Sequence, residues 1–200
     1  MQETKIHFSS TETELMTDVT IILTKNNVLQ KIKSLLEQVQ NKQLAYIKDS
    51  GLWNHPLFTI PPKISKGENY LGLPYIILDY PRLSVPDNLF FIRTFFWWGN
   101  FFSSTLQAGG KSKSIIMKKL PEKEEILKAG NYYIGVNLDP WVHHFEETNY
   151  KPISTVSQQQ LEEMNYIKIA AKWPLTDWHY AAIELYESWV FLLETSGLIS

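Results

Sequence analysis

Cysteine is absent from all 200 residues. That excludes disulfides, thiolate nucleophiles and cysteine-ligated zinc, and it leaves the redox compartment open. A surplus of positive charge is absent too. The net charge is −2 and the isoelectric point is near 6.2. Duplex DNA and anionic membrane surfaces are both met by clustered Lys and Arg, so neither is an expected partner. No long hydrophobic run occurs: the most apolar stretch, Leu89 to Phe102, is interrupted by Arg93, Gly99 and Asn100. It falls short of the roughly 20 residues a spanning helix needs. No apolar segment follows Met1 to Lys5, so no secretory signal is expected. There is no Asn-x-Ser/Thr sequon and no internal repeat or low-complexity tract, and a cytoplasmic location is the expectation.

Aromatic side chains are plentiful. Phe, Trp and Tyr make up 14% of the chain, with seven Trp among them. Each buries roughly 150–250 Å², enough to build a heavy core, an interface or a stacking surface. With 44% hydrophobic and 20% charged residues the chain has ordinary globular composition, and its length suits a single domain spanning residues 1–200.

Ser9 and Thr11, followed by Glu12 and Glu14, form overlapping capping-box patterns ahead of a helix to about Thr24. After a break at Lys25-Asn26-Asn27, a second stripe from Val28 through Ile32, Leu36 and Val39 to Ile47 predicts a longer helix. From Gly51 to Pro74, glycine and proline leave room only for short extended pieces. Strands are expected over Tyr75–Tyr80, Leu89–Trp98 and Phe101–Gln107, the last two joined by a tight Gly99-Asn100 hairpin. Gly109 to Lys119 reads as a polar, Lys-rich connection, and a short helix runs from Leu120 through Leu127. Strands are expected at Tyr132–Leu138 and Trp141–Phe145, and alternation over Tyr166–Trp173 predicts a half-buried one. A last helix places Trp178, Ala182, Leu185 and Trp189 on one core-facing stripe and ends at Gly197. The result is an α+β fold: a mainly antiparallel sheet flanked by two N-terminal helices and a long C-terminal helix.

The segments Tyr70 to Pro81, containing Leu71-Gly72-Leu73-Pro74, and Arg93 to Ser103, containing Phe96-Trp97-Trp98-Gly99-Asn100, resemble a family of uncharacterised bacterial proteins. The resemblance covers the middle third best and implies no activity, cofactor or ligand.

Polar residues inside the aromatic run are the most informative feature. Arg93 lies between Ile92 and Phe95, and burying it unpaired would cost several kcal/mol, so Asp79 on the neighbouring strand is its expected partner. The plain reading is an ion pair that locks the sheet. The functional reading is a small-molecule pocket or self-association surface built from Asp79, Arg93, Trp97, Trp98 and Asn100. Adjacent strand residues point to opposite faces, so at least one of Trp97 and Trp98 is expected to line an open cavity or a subunit contact. This favours a non-catalytic binding or interaction module.

A metal-dependent hydrolase is the alternative. Asp139, His143 and, from the last helix, His179 have the ligand chemistry for zinc, with Glu146 and Glu147 nearby. However, His143 and His144 would diverge on a strand. A third reading, binding of single-stranded nucleic acid, would use Phe95, Trp97 and Phe101 as a stacking platform beside Arg82 and Arg93. Gly110-Lys111-Ser112 resembles the end of a phosphate loop, but Thr105 stands where the first glycine is needed. No serine sits in a Gly-x-Ser-x-Gly elbow.

Overall fold

The structure is a computed structural model that describes residues 5–199; the segment Met1–Thr4 read above for a secretory signal lies outside them. A seven-stranded antiparallel sheet organises the chain. Its strands are β1 (Lys63–Tyr70), β2 (Leu73–Val85), β3 (Asn88–Trp97), β4 (Phe101–Gly109), β5 (Tyr133–Gly135), β6 (Tyr150–Pro152) and β7 (Tyr166–Pro174), in spatial order β1-β2-β3-β4-β7-β5-β6. The helices are α1 (Ser10–Thr17), α2 (Val19–Asp49), α3 (Gly110–Ala129), α4 (Gln158–Glu163) and α5 (Trp178–Thr195). This is the expected α+β arrangement. Among the described residues no helix is long and apolar enough to cross a membrane.

The register divides the sheet into two faces. Ile76, Phe96, Phe102 and Trp173 stand side by side across four strands, as do Leu78, Thr94, Ser104 and Ala171. This face packs beneath α2, α3 and α5, where Leu36, Ile47, Ile116, Leu185, Trp189 and Leu192 have almost no exposure. The opposite face carries Asp79, Arg93, Thr105 and Ala170 in one row and Phe91, Gln107 and Lys168 in the next. It lies beneath the irregular segment 136–149.

Several elements differ from the sequence-based expectations. The first helical break falls at Asp18, whose side chain caps α2 by accepting from the Thr20 N–H at 2.8 Å. Asn26 and Asn27 are absorbed into the helix because intrinsic propensity is a weak preference beside a capped, 31-residue run. Of the expected connection Gly109 to Lys119, Gly109 ends β4 and the rest is the first half of α3: Asn88 Oδ1 accepts from the backbone and hydroxyl of Ser112, and Ile116, Met117 and Leu120 form its buried stripe. Trp141–Phe145 is not a strand. Trp178 does not join the core stripe of α5, since it is 56% exposed. It stands at the first position of that helix, ahead of Ala181, where the apolar stripe begins to be buried. The expected hairpin forms, but its turn is one residue longer than read: Trp98, Gly99 and Asn100 lie between Trp97 and its partner Phe101, with Gly99 at φ 71°.

Candidate functional site

Asp79 and Arg93 pair directly across β2 and β3. The guanidinium is bidentate, Nε to Oδ1 at 2.8 Å and Nη2 to Oδ2 at 2.9 Å. It sits against the rings of Phe91 and Trp141, which stack on each other. The remaining nitrogen, Nη1, donates to His143 Nε2 at 3.0 Å. Because arginine cannot accept, a neutral His143 carries its proton on Nδ1. That atom lies 3.4 Å from Lys168 Nζ, which in turn donates to the carbonyls of Pro140 (2.9 Å) and Val142 (2.5 Å).

The bonds are complete when Lys168 is neutral: two N–H groups meet two carbonyls, and the lone pair faces His143 Nδ1–H. The electrostatics agree. Burial, reinforced by Arg93, lowers the Lys168 ammonium to about 7. Burial first, then Lys168 and Arg93, holds His143 well below the ordinary imidazole value.

The sequence alternation places Lys168 on a solvent side, yet it is 1% exposed. Segment 136–149 covers it. Tyr70 ties that segment down from the end of β1: its hydroxyl accepts from the backbone N–H of His143 at 2.6 Å and of His144 at 3.2 Å, and donates to His144 Nδ1 at 3.0 Å. Phe145 stacks on Tyr150 at 4.3 Å. Lys168 and Tyr70 are the functional-looking residues that sequence reasoning missed; a lone lysine in an alternating strand gives no signal of what will be laid over it. With its ionisable atoms capped by backbone carbonyls and rings, this network serves to hold a covering segment on the sheet.

The metal candidates do not converge. Asp139 is an exposed turn residue accepting from Trp141 N–H at 2.8 Å. His143 is buried against Phe95. His179 belongs to the opposite, helix-covered side, stacked on Trp178 and near Phe96. Among the described residues no group of three or more His, Asp or Glu could hold a metal ion. The aromatic platform of Phe95, Trp97 and Phe101 does form along one face, but Tyr70, His143 and Phe145 cover it, leaving Phe95 and Trp97 buried.

The proposed pocket set is also divided. Trp97 is buried on the network side, its Nε1 donating to Tyr70 O. Asn100 is exposed and holds the turn by donating to Trp98 O at 2.9 Å. Trp98, however, leaves the strand on the helix side and is half-buried. There it lines a cleft of about 960 Å³ with Phe96 and Phe102 as floor, Val28, Ile32 and Leu35 of α2 as one wall, and Leu175, Trp178 and Ala182 as the other. The polar groups around it are Gln30, Lys31, Ser34, Gln38 and His179; among the described residues no carboxylate lines it. Another cleft of about 580 Å³, between the covering segment and α4, has Glu147, Lys151, Gln160 and Glu163 in its walls, where water competes for every polar contact. Compared with protein-family models, curated proteins and solved structures, the chain matches none.

Proposed function

We propose that this chain is a non-catalytic interaction module whose binding surface is the cleft beneath Trp98, and that the cleft receives an apolar helical segment. One observation carries this reading: large apolar side chains from a helix, a hairpin tip and a second helix converge on an unfilled cleft of about 960 Å³. Such a volume lies at the upper end of the ~300–1,000 Å³ typical of small-ligand sites, and troughs between helices are a recurrent seat for amphipathic helices. Trp98, half-exposed at a hairpin tip, is the kind of anchor that dominates binding energy when covered.

Displacement of an environment-sensitive apolar dye by an amphipathic helical peptide tests the reading. The chain is expected to bind both, and Leu35→Glu, which sets a carboxylate in the wall, is expected to weaken both at least about tenfold. Equal binding by the chain and by Leu35→Glu would sink it.

A further inference from the structure

We infer that the occupant of the cleft is the N-terminal arm of a second copy of this chain; this rests on the cleft being a helix-binding site. Every described residue before Lys25 is exposed. The arm is nonetheless rich in large apolar groups: Ile6, Phe8, Met16, Val19, Ile22 and Leu23 are each 55–71% exposed. Local bonds shape it. Ser9 and Glu12 complete a capping box on α1, and Asp18 caps α2. Yet α1 buries no residue, and a helix of eight residues is marginal without packing. An apolar surface of this kind on an ordered helix marks an interaction site.

Residues 19–24 cannot turn back into the cleft of their own chain. Residues 28–38 of α2 form a wall of that cleft, and the same helix runs unbroken from Val19. At 1.5 Å per residue, Val19 lies about 20 Å along the axis from Ile32. A second copy removes the obstacle, and reciprocal exchange closes a two-fold dimer with both clefts filled.

Charge selects the same occupant. From Lys5 to Thr24 the arm carries Glu12, Glu14 and Asp18 against Lys5 alone, while Lys31 and His179 stand at the cleft with no acid among its described lining residues. An acidic arm is also poorly suited to an anionic lipid surface, which favours Lys- and Arg-bearing amphipathic helices.

Light scattering on the full chain tests the inference. The chain is expected at twice its 23.3 kDa monomer mass. Val19→Glu/Ile22→Glu in the arm and Leu35→Glu in the cleft are each expected to give monomers, raising the dissociation constant at least about 100-fold. Mixing the two variants supplies one intact arm and one intact cleft, and is expected to restore a weaker heterodimer. The arm variant alters only exposed positions, so it keeps the test decisive should Leu35→Glu fail to fold. A monomeric wild-type chain that still binds the peptide would overturn the inference and leave the cleft reading standing. A dimer that survives the arm substitutions, or a monomer whose arm inserts into neutral vesicles, would also overturn it. Failure of the monomeric arm variant, whose cleft is then open, to bind peptide and dye would remove both.

Discussion

On the helix side of the sheet, Ile92, Leu106, Leu185 and Trp189 are fully buried, and the polar residues that β3 and β4 place among them are Thr94 and Ser104. On the other side Arg93 and Lys168 are drawn beneath a segment without regular secondary structure, which reaches down to them through His143. The first face needs apolar area and a matching stripe, and many side chains would serve. The second needs particular bonds: two carbonyls on one amine, two backbone N–H groups on one hydroxyl, one carboxylate on one guanidinium. Stability on the helix side should therefore depend on volume, and on the other side on single polar atoms and on pH.

The largest effect tests the helix side. Trp189 is fully buried, stacks on Tyr80 and donates to the Tyr80 carbonyl at 2.5 Å. Trp189→Ala is expected to cost about 3–5 kcal/mol in denaturant unfolding. A loss below about 1 kcal/mol would mean that volume is not what this face depends on.

Next comes the covering segment. Lys168→Ala strands the Nδ1–H of His143 and two part-buried carbonyls, at roughly 1–3 kcal/mol for a fully buried group and less for the carbonyls, about 2–4 kcal/mol in total. Faster amide exchange across 136–149, with α5 unchanged, should accompany it. Uniform loosening of both faces would break the contrast.

The pH dependence is smaller and has a definite sign. The Lys168 ammonium falls from an unfolded value of 10.5 to about 7. Between those values the unfolded chain binds more protons, so stability rises with pH across that window. His143, held below its unfolded 6.5, acts in the same direction: its contribution is lost as pH falls from 6.5 toward its folded value. Together they are expected to add roughly 1–2 kcal/mol between pH 6 and 8. Lys168→Met should flatten the upper part of that curve; an unchanged profile would show that the amine is not neutralised by burial.

The smallest effect belongs to the cleft. Trp98→Ala is expected to change monomer stability by less than about 1 kcal/mol, because the ring is only half-buried, while lowering dye and peptide binding. A large loss of stability would turn Trp98 into an ordinary core residue.

Much of the helix side was legible in advance. Ile32, Leu36, Val39 and Ile47 recur at helical spacing, and Leu185, Trp189 and Leu192 do the same, so the covering helices could be read from periodicity. The Asp79–Arg93 pair was legible as well, from the cost of burying an unpaired guanidinium. Segment 136–149 was not, since it has no period and its hydrogen bonds run to distant residues such as Tyr70 and Lys168. The divided fate of the pocket set has the same origin. Trp97 and Trp98 were known to point apart, but which side held a cleft depended on how far α2 and α5 reach.

By itself the sequence determined the α+β class, the hairpin at Gly99, the apolar stripes of α2 and α5 and the need to pair Arg93, because periodicity, turn chemistry and the desolvation of charge act locally. Only the tertiary structure decided that Lys168 is buried, that His143 and His179 lie on opposite sides of the sheet, and that Trp98 borders an unfilled cleft while the N-terminal arm stands exposed. Burial belongs to the surface that another part of the chain, or another copy, lays over a residue, and no local pattern around Lys168 or Val19 encodes what that surface is.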